Sequence, residues 1–157
     1  MKKQISDSYI TVATQKTEAH FSAGYDRDRT DRLGVGSYFF NLTVTALTST
    51  VYVPISIASG RKSTGFIYQL EGTGEGTGTG SVDGRGDGVT TISFGSITYF
   101  KIPPERTVSF KILVQVTAPR KNSYKVVIGR VNYKLNTSDA RYKRLVTDIS
   151  TPSVKFR

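Results

Sequence analysis

Cysteine and tryptophan are absent from this chain, and methionine and histidine occur once each. Without cysteine there is no disulfide framework, no thiolate metal site and no cysteine nucleophile. His20 has no second histidine with which to hold a metal, and no Gly-x-Ser-x-Gly elbow offers it a serine. Only three acids follow residue 100, so a pair of catalytic carboxylates would have to come from loops of the first half. No apolar run approaches a membrane span. Met1-Lys2-Lys3-Gln4-Ile5-Ser6-Asp7 opens with two lysines but lacks the apolar stretch of a signal peptide. These absences argue against an enzyme and against any cofactor or metal.

Threonine, valine, serine, glycine and tyrosine are abundant, a mixture that favours strands and turns. At 157 residues the chain is long enough for one domain with a real core. Period-2 alternation recurs along it. Within Tyr38–Ala46 the even positions are apolar and the later odd ones polar. Val51, Val53, Ile55 and Ile57 alternate with Tyr52, Pro54, Ser56 and Ala58, and Pro54 marks that strand as an edge or a bulge. Phe66–Leu70, Ile92–Phe94 and Ile97–Ile102 are further short strands, with weaker ones at Ser8–Thr14, Thr17–Phe21 and Arg144–Ile149.

The clearest strand is Thr107–Thr117, with Val108, Phe110, Ile112, Val114 and Val116 on one side. A turn at Ala118–Ser123 leads to Tyr124–Leu135. That strand changes phase midway, which requires a bulge, and Gly129-Arg130 is the natural place. Asn136–Tyr142 reads as a helical turn. Seven to nine strands without long helices predict an all-β antiparallel β-sandwich, immunoglobulin-like or jelly-roll. The sandwich spans 8–157, preceded by a polar arm over 1–7. Gly72–Gly88 has eight glycines in seventeen residues and no apolar face to bury. It reads as a long mobile loop or protruding ribbon inserted over 72–88.

The net charge of +10 sits late in the chain. Residues 1–100 hold nine Lys/Arg and nine Asp/Glu, whereas residues 101–157 hold thirteen against three. If the two clearest strands pair as a hairpin, Lys111 falls opposite Asn132 and diagonal to Arg130 and Lys134. Lys101, Lys143 and Arg144 would extend that basic face. Its competing explanation is a solvated surface that protects an edge from aggregation. Nucleic acid or acidic polysaccharide would suit such a face, although Tyr124 and Tyr133 point inward by phase and are not free to stack on bases.

Other motifs are weaker. Arg85-Gly86-Asp87 spells the tripeptide that integrins read at a tight turn. Asp26–Asp31 and Asp83–Asp87 space carboxylates as calcium loops do, but no bidentate glutamate follows either. Gly60-Arg61-Lys62-Ser63-Thr64 is a basic turn without the strand-to-helix setting of a phosphate loop. Asn41-Leu42-Thr43 and Asn136-Thr137-Ser138 match glycosylation sequons, which matter only in a secreted eukaryotic chain.

Ile102-Pro103-Pro104-Glu105-Arg106-Thr107-Val108-Ser109-Phe110-Lys111-Ile112, followed by Ser123-Tyr124-Lys125-Val126-Val127-Ile128, resembles the last strands of bacterial immunoglobulin-like surface modules. Single-jelly-roll virion proteins share the same grammar of a Pro-containing turn, a strand with an inward Phe, and a Tyr-x-Val strand. The resemblance covers about a quarter of the chain and implies fold alone. The expected function is a non-enzymatic structural subunit of a surface assembly: a capsid, decoration or spike protein that acts through protein–protein contacts as a homo-oligomer or part of a larger assembly. Its location would be a virion or cell surface. The alternative is an extracellular immunoglobulin-like binding or adhesion module. A third reading has the basic face binding nucleic acid or acidic polysaccharide.

Overall fold

The computed structural model describes residues 4–22, 33–59, 64–72, 76–119 and 122–156. Among these the chain forms thirteen strands and no helix. They are β1 (Gln4–Ser6), β2 (Ile10–Ser22), β3 (Leu33–Ala46), β4 (Val51–Pro54), β5 (Ile57–Ala58), β6 (Phe66–Gly72), β7 (Thr77–Arg85), β8 (Thr90–Phe94), β9 (Ile97–Ile102), β10 (Thr107–Pro119), β11 (Ser123–Tyr133), β12 (Lys143–Ser150) and β13 (Val154–Lys155). Sheet 1 has the order β1-β2-β3-β10-β7. Sheet 2 runs β12-β11-β6-β5 with β13 added to β11, and sheet 3 runs β4-β9-β8. Pairing is antiparallel except between β5 and β6.

Alternation explains the long central ladder. β3 and β10 pair from Thr45↔Thr107 to Leu33↔Pro119. Tyr38, Phe40, Leu42 and Val44 then share an inner face with Val108, Phe110, Ile112 and Val114, all buried. The other sheets close over this face. The ring of Phe66 on β6 meets Phe110 at 5.0 Å, and Phe100 on β9 meets it at 5.3 Å. The Tyr38 hydroxyl donates to the Tyr124 carbonyl at 2.9 Å. Each fully buried ring of this kind stabilises the fold by roughly 1.5–3 kcal/mol. Tyr124 and Tyr133 are buried as their phase predicts.

The expected bulge is present. β11 shifts register between Ile128 and Arg130 against both β12 and β6. The irregularity is satisfied from the side, where Thr147 donates its hydroxyl to the Ile128 carbonyl at 2.6 Å. Pro54 ends β4, which is an edge of sheet 3. The two weak strands foreseen before Ser22 are one strand, β2, carrying a register shift between Thr14 and Lys16.

Four expectations are corrected. The strand count exceeds nine, because short β1, β5 and β13 join the long strands. Residues 73–75 of the tract 72–88 lie outside the described residues, and the rest is not one long loop: Thr77–Arg85 is β7, laddered to β10 from Thr117↔Thr77 to Ser109↔Arg85. Its glycines occupy the inner face, where large side chains press onto bare backbone. A Cβ at Gly78 would lie 2.7 Å from the Tyr68 hydroxyl, and one at Gly84 would lie 2.7 Å from Phe100 Cζ. Gln4–Ser6 is no free arm but pairs with β2. Asp7 fixes it, accepting from the backbone N–H groups of Tyr9 and Ile10 at 2.7 and 2.8 Å and from the Tyr133 hydroxyl. Asn136–Tyr142 contains a turn, not a helix: Asp139 N–H donates to the Asn136 carbonyl, and Ser138 N–H to Asn136 Oδ1.

Candidate functional site

The structure disperses the basic residues. β10 and β11 are consecutive, yet they lie in different sheets, so the hairpin that would set Lys111 against Asn132 does not form. A partner strand was available to each elsewhere: β10 is held between β3 and β7, and β11 between β6 and β12. Asn132 instead faces Arg144, and Arg130 faces Val146, which leaves Arg130 and Arg144 as diagonal neighbours on sheet 2. Lys143 turns away from them and holds its ammonium 4.8 Å from the Tyr9 ring. Lys134 is buried, with its ammonium 4.5 Å from the Tyr142 ring and 5.9 Å from Tyr99. Lys101 lies on β9, opposite Tyr52.

Arg85 closes β7, and Gly86 and Asp87 form the turn toward β8, where Val89 N–H donates to the Gly86 carbonyl at 3.4 Å. Asp83 is a strand residue, separated from Asp87 by that turn. Among the described residues no group of three His, Asp or Glu is placed to hold a metal ion. Asp26–Asp31, Gly60–Ser63 and Met1–Lys3 lie outside the described residues.

Two features emerge that the sequence reading did not single out. The first is a tyrosine–lysine cluster on sheet 3, leading to an apolar tip. Tyr52 and Tyr99 meet edge-on at 6.5 Å, and the hydroxyls of Tyr99 and Tyr142 lie 3.2 Å apart. Burial, then the Tyr99 hydroxyl, pushes the Tyr142 hydroxyl well above the ordinary tyrosine range. Beyond Tyr99, the β8–β9 hairpin turns at Gly95, whose φ of +67° suits glycine. All five residues of β8 are exposed, including Ile92 at 39% and Phe94 at 53%. Among the described residues β8 is paired on one side only.

The second feature is the outer face of sheet 1. Cross-strand registers set out two rows there. One runs Lys16, Asn41, Lys111, Asp83; the next runs Glu18, Phe39, Leu113, Ser81. On β2 the charges pair among themselves: Lys16 bonds Glu18, and His20 Nε2 lies 3.6 Å from the same carboxylate. The Lys16 hydrogen bond and charge hold Glu18 below the usual carboxylate range. Lys111 and Asp83 face each other across the β10–β7 ladder with no ion pair between them. A groove of about 330 Å³ lies there, lined by Phe39, Asn41, Ser81, Asp83, Lys111 and Leu113 among others. The sequence carried two signals for it: Phe39 and Leu113 are apolar residues in the outward phases of β3 and β10.

Comparison of the chain with protein-family models, with curated proteins and with solved structures finds no match.

Proposed function

We propose that this chain is a non-enzymatic structural subunit of a surface assembly, such as a capsid, decoration or spike protein of a virion, and that it associates with copies of itself. In this reading sheets 1 and 2 are the two layers of a β-sandwich, with sheet 3 as its projecting corner. The observation that carries the proposal is the β8 strand. It offers an open backbone edge beside Ile92 and Phe94, and a monomer gains nothing by leaving such a strand uncovered. Addition of a neighbour's strand to that edge would satisfy its backbone and cover both side chains.

Light scattering after size exclusion tests this. The wild-type chain should run as an oligomer at micromolar concentration, and the double substitution Ile92→Ser, Phe94→Ser should run as a monomer with unchanged circular dichroism. A wild type that remains monomeric at high concentration, or a variant that assembles as before, would overturn the proposal. The reading of a single basic docking face for nucleic acid or acidic polysaccharide loses its geometric support, because Lys111, Lys134 and the Arg130–Arg144 pair occupy separate surroundings. The second reading, an extracellular binding module, draws on one observation, the groove on sheet 1.

A further inference from the structure

We propose that the groove on the outer face of sheet 1 is a binding site for a neutral saccharide. The inference is independent of whether the chain assembles through β8. It starts from the residue types that the register brings together. Phe39 is 38% exposed in the middle of a polar sheet face. His20 on β2 meets its ring edge-on, with the centroids 6.0 Å apart. Phe39 also lines the groove, together with residues of β10 and β7. An aromatic face carries negative charge density and attracts polarised C–H groups, such as those on the face of a pyranose ring.

Around that ring the groove supplies both halves of hydroxyl recognition. Lys111 donates, Asp83 accepts, and Asn41 and Ser81 do both. A sugar hydroxyl is itself donor and acceptor, so adjacent hydroxyls would bridge Lys111 and Asp83, which do not satisfy one another. The contrast with β2 is informative: Lys16, Glu18 and His20, two strands away on the same face, are already paired.

Charge selects the class of ligand. A polyanion would be drawn to Lys111 but repelled by Asp83 and Glu18. A purely apolar peptide would strand the charged pair without water. A neutral polyol meets neither obstacle. The volume of about 330 Å³ sits at the small end of ligand pockets, which span roughly 300–1,000 Å³. That suits one or two sugar rings in a shallow, open site, and weak affinity of about millimolar Kd is expected for it.

The experiment is a nuclear magnetic resonance titration of the isotope-labelled chain with maltotriose, cellotriose, chitotriose and mannotriose, and with a sulfated heparin oligosaccharide as the contrasting arm. At least one neutral probe should shift the Phe39 ring and the Ser81 and Lys111 amides together, with an affinity that high salt leaves unchanged. Phe39→Ala should weaken it about tenfold or more, whereas Phe39→Trp, which keeps an aromatic face, should retain it and guards against a simple packing defect. Asp83→Asn should weaken it several-fold. The proposal is overturned if no neutral probe shifts these signals. It is equally overturned if binding survives Phe39→Ala, or if only the heparin oligosaccharide binds and is released by salt.

Discussion

Replacing Gly84 by alanine tests whether the glycine stripe of β7 is a packed surface. The added Cβ would lie 2.7 and 2.8 Å from two atoms of the Phe100 ring and 3.0 Å from Phe110 Cε1. Carbon atoms rest comfortably at about 3.5–4.0 Å. Phe110 has little room to retreat, since it is buried and held edge-on by both Phe66 and Phe100. Overpacking of this kind costs about 1–3 kcal/mol. Against it stands the reduced freedom of the unfolded chain, which favours alanine by about 0.4–1 kcal/mol. The expected outcome is a net loss of about 1–2 kcal/mol, or a Tm lower by about 2–8 °C for a chain of this size. Gly129→Ala is the control: its Cβ would meet only the Ile67 carbonyl oxygen, at 4.0 Å. That variant should be neutral or more stable by up to about 1 kcal/mol. Urea denaturation followed by circular dichroism measures both. If Gly84→Ala matches or exceeds the wild type in stability, β7 does not pack beneath the rings and the reasoning fails.

Tyr133→Phe removes a hydrogen bond to the Asp7 carboxylate. It should cost about 1.5–3 kcal/mol and lower hydrogen-exchange protection across β1 and β2. Lys134→Ala should cost about 1–2 kcal/mol in urea melts by stripping the stem and ammonium from Tyr99 and Tyr142, whereas Lys134→Met, which keeps the stem, should cost less. Glu105 sits at a φ of +67° in the turn after Pro104, so Glu105→Gly should stabilise the fold by up to about 1–2 kcal/mol, seen as a higher urea midpoint. Folding pushes the Tyr38 hydroxyl up to about 12, by burial first and by Tyr124 second. An unfolded tyrosine ionises near its ordinary value of about 10, so the unfolded state releases its proton first. Stability present below about pH 10 should therefore be lost as pH climbs toward 12. Tyrosinate absorbance should rise together with unfolding, and Tyr38→Phe should flatten the loss.

The legible parts of the sequence are those where side chains label both faces of a strand. β9 has the expected ends, β10 and β11 have the expected phases, and Gly129 carries the bulge. β7 was missed because glycine carries no label. Even so, the tract puts a glycine at every even position from Gly72 to Gly88 except Val82, which is a period of two written in absent side chains. Its odd positions, among them Ser81 and Asp83, then face outward with Lys111. The basic cluster failed for a different reason. Neighbouring strands in sequence pair only about two-thirds of the time. Here the connection after Pro119 crosses from one sheet to another, so Lys111 and Arg130 part company at that point. Nothing local in Ala118–Ser123 distinguishes a hairpin from a crossing.

The ladder between β3 and β10 also sets a timetable. Thr45 and Thr107, whose hydroxyls meet at 2.7 Å, are 62 residues apart, and Asp7 and Tyr133 are 126 apart. A ribosome must add all of that intervening chain before either contact can close. Until then the inner face of β3 has no partner strand on its β10 side, and loop closure over such distances slows folding. The nascent chain therefore carries an unpaired apolar strand edge while the whole stretch between Ala46 and Thr107 is added. Refolding from denaturant should be slow for a chain of this length, and its yield should fall as protein concentration rises.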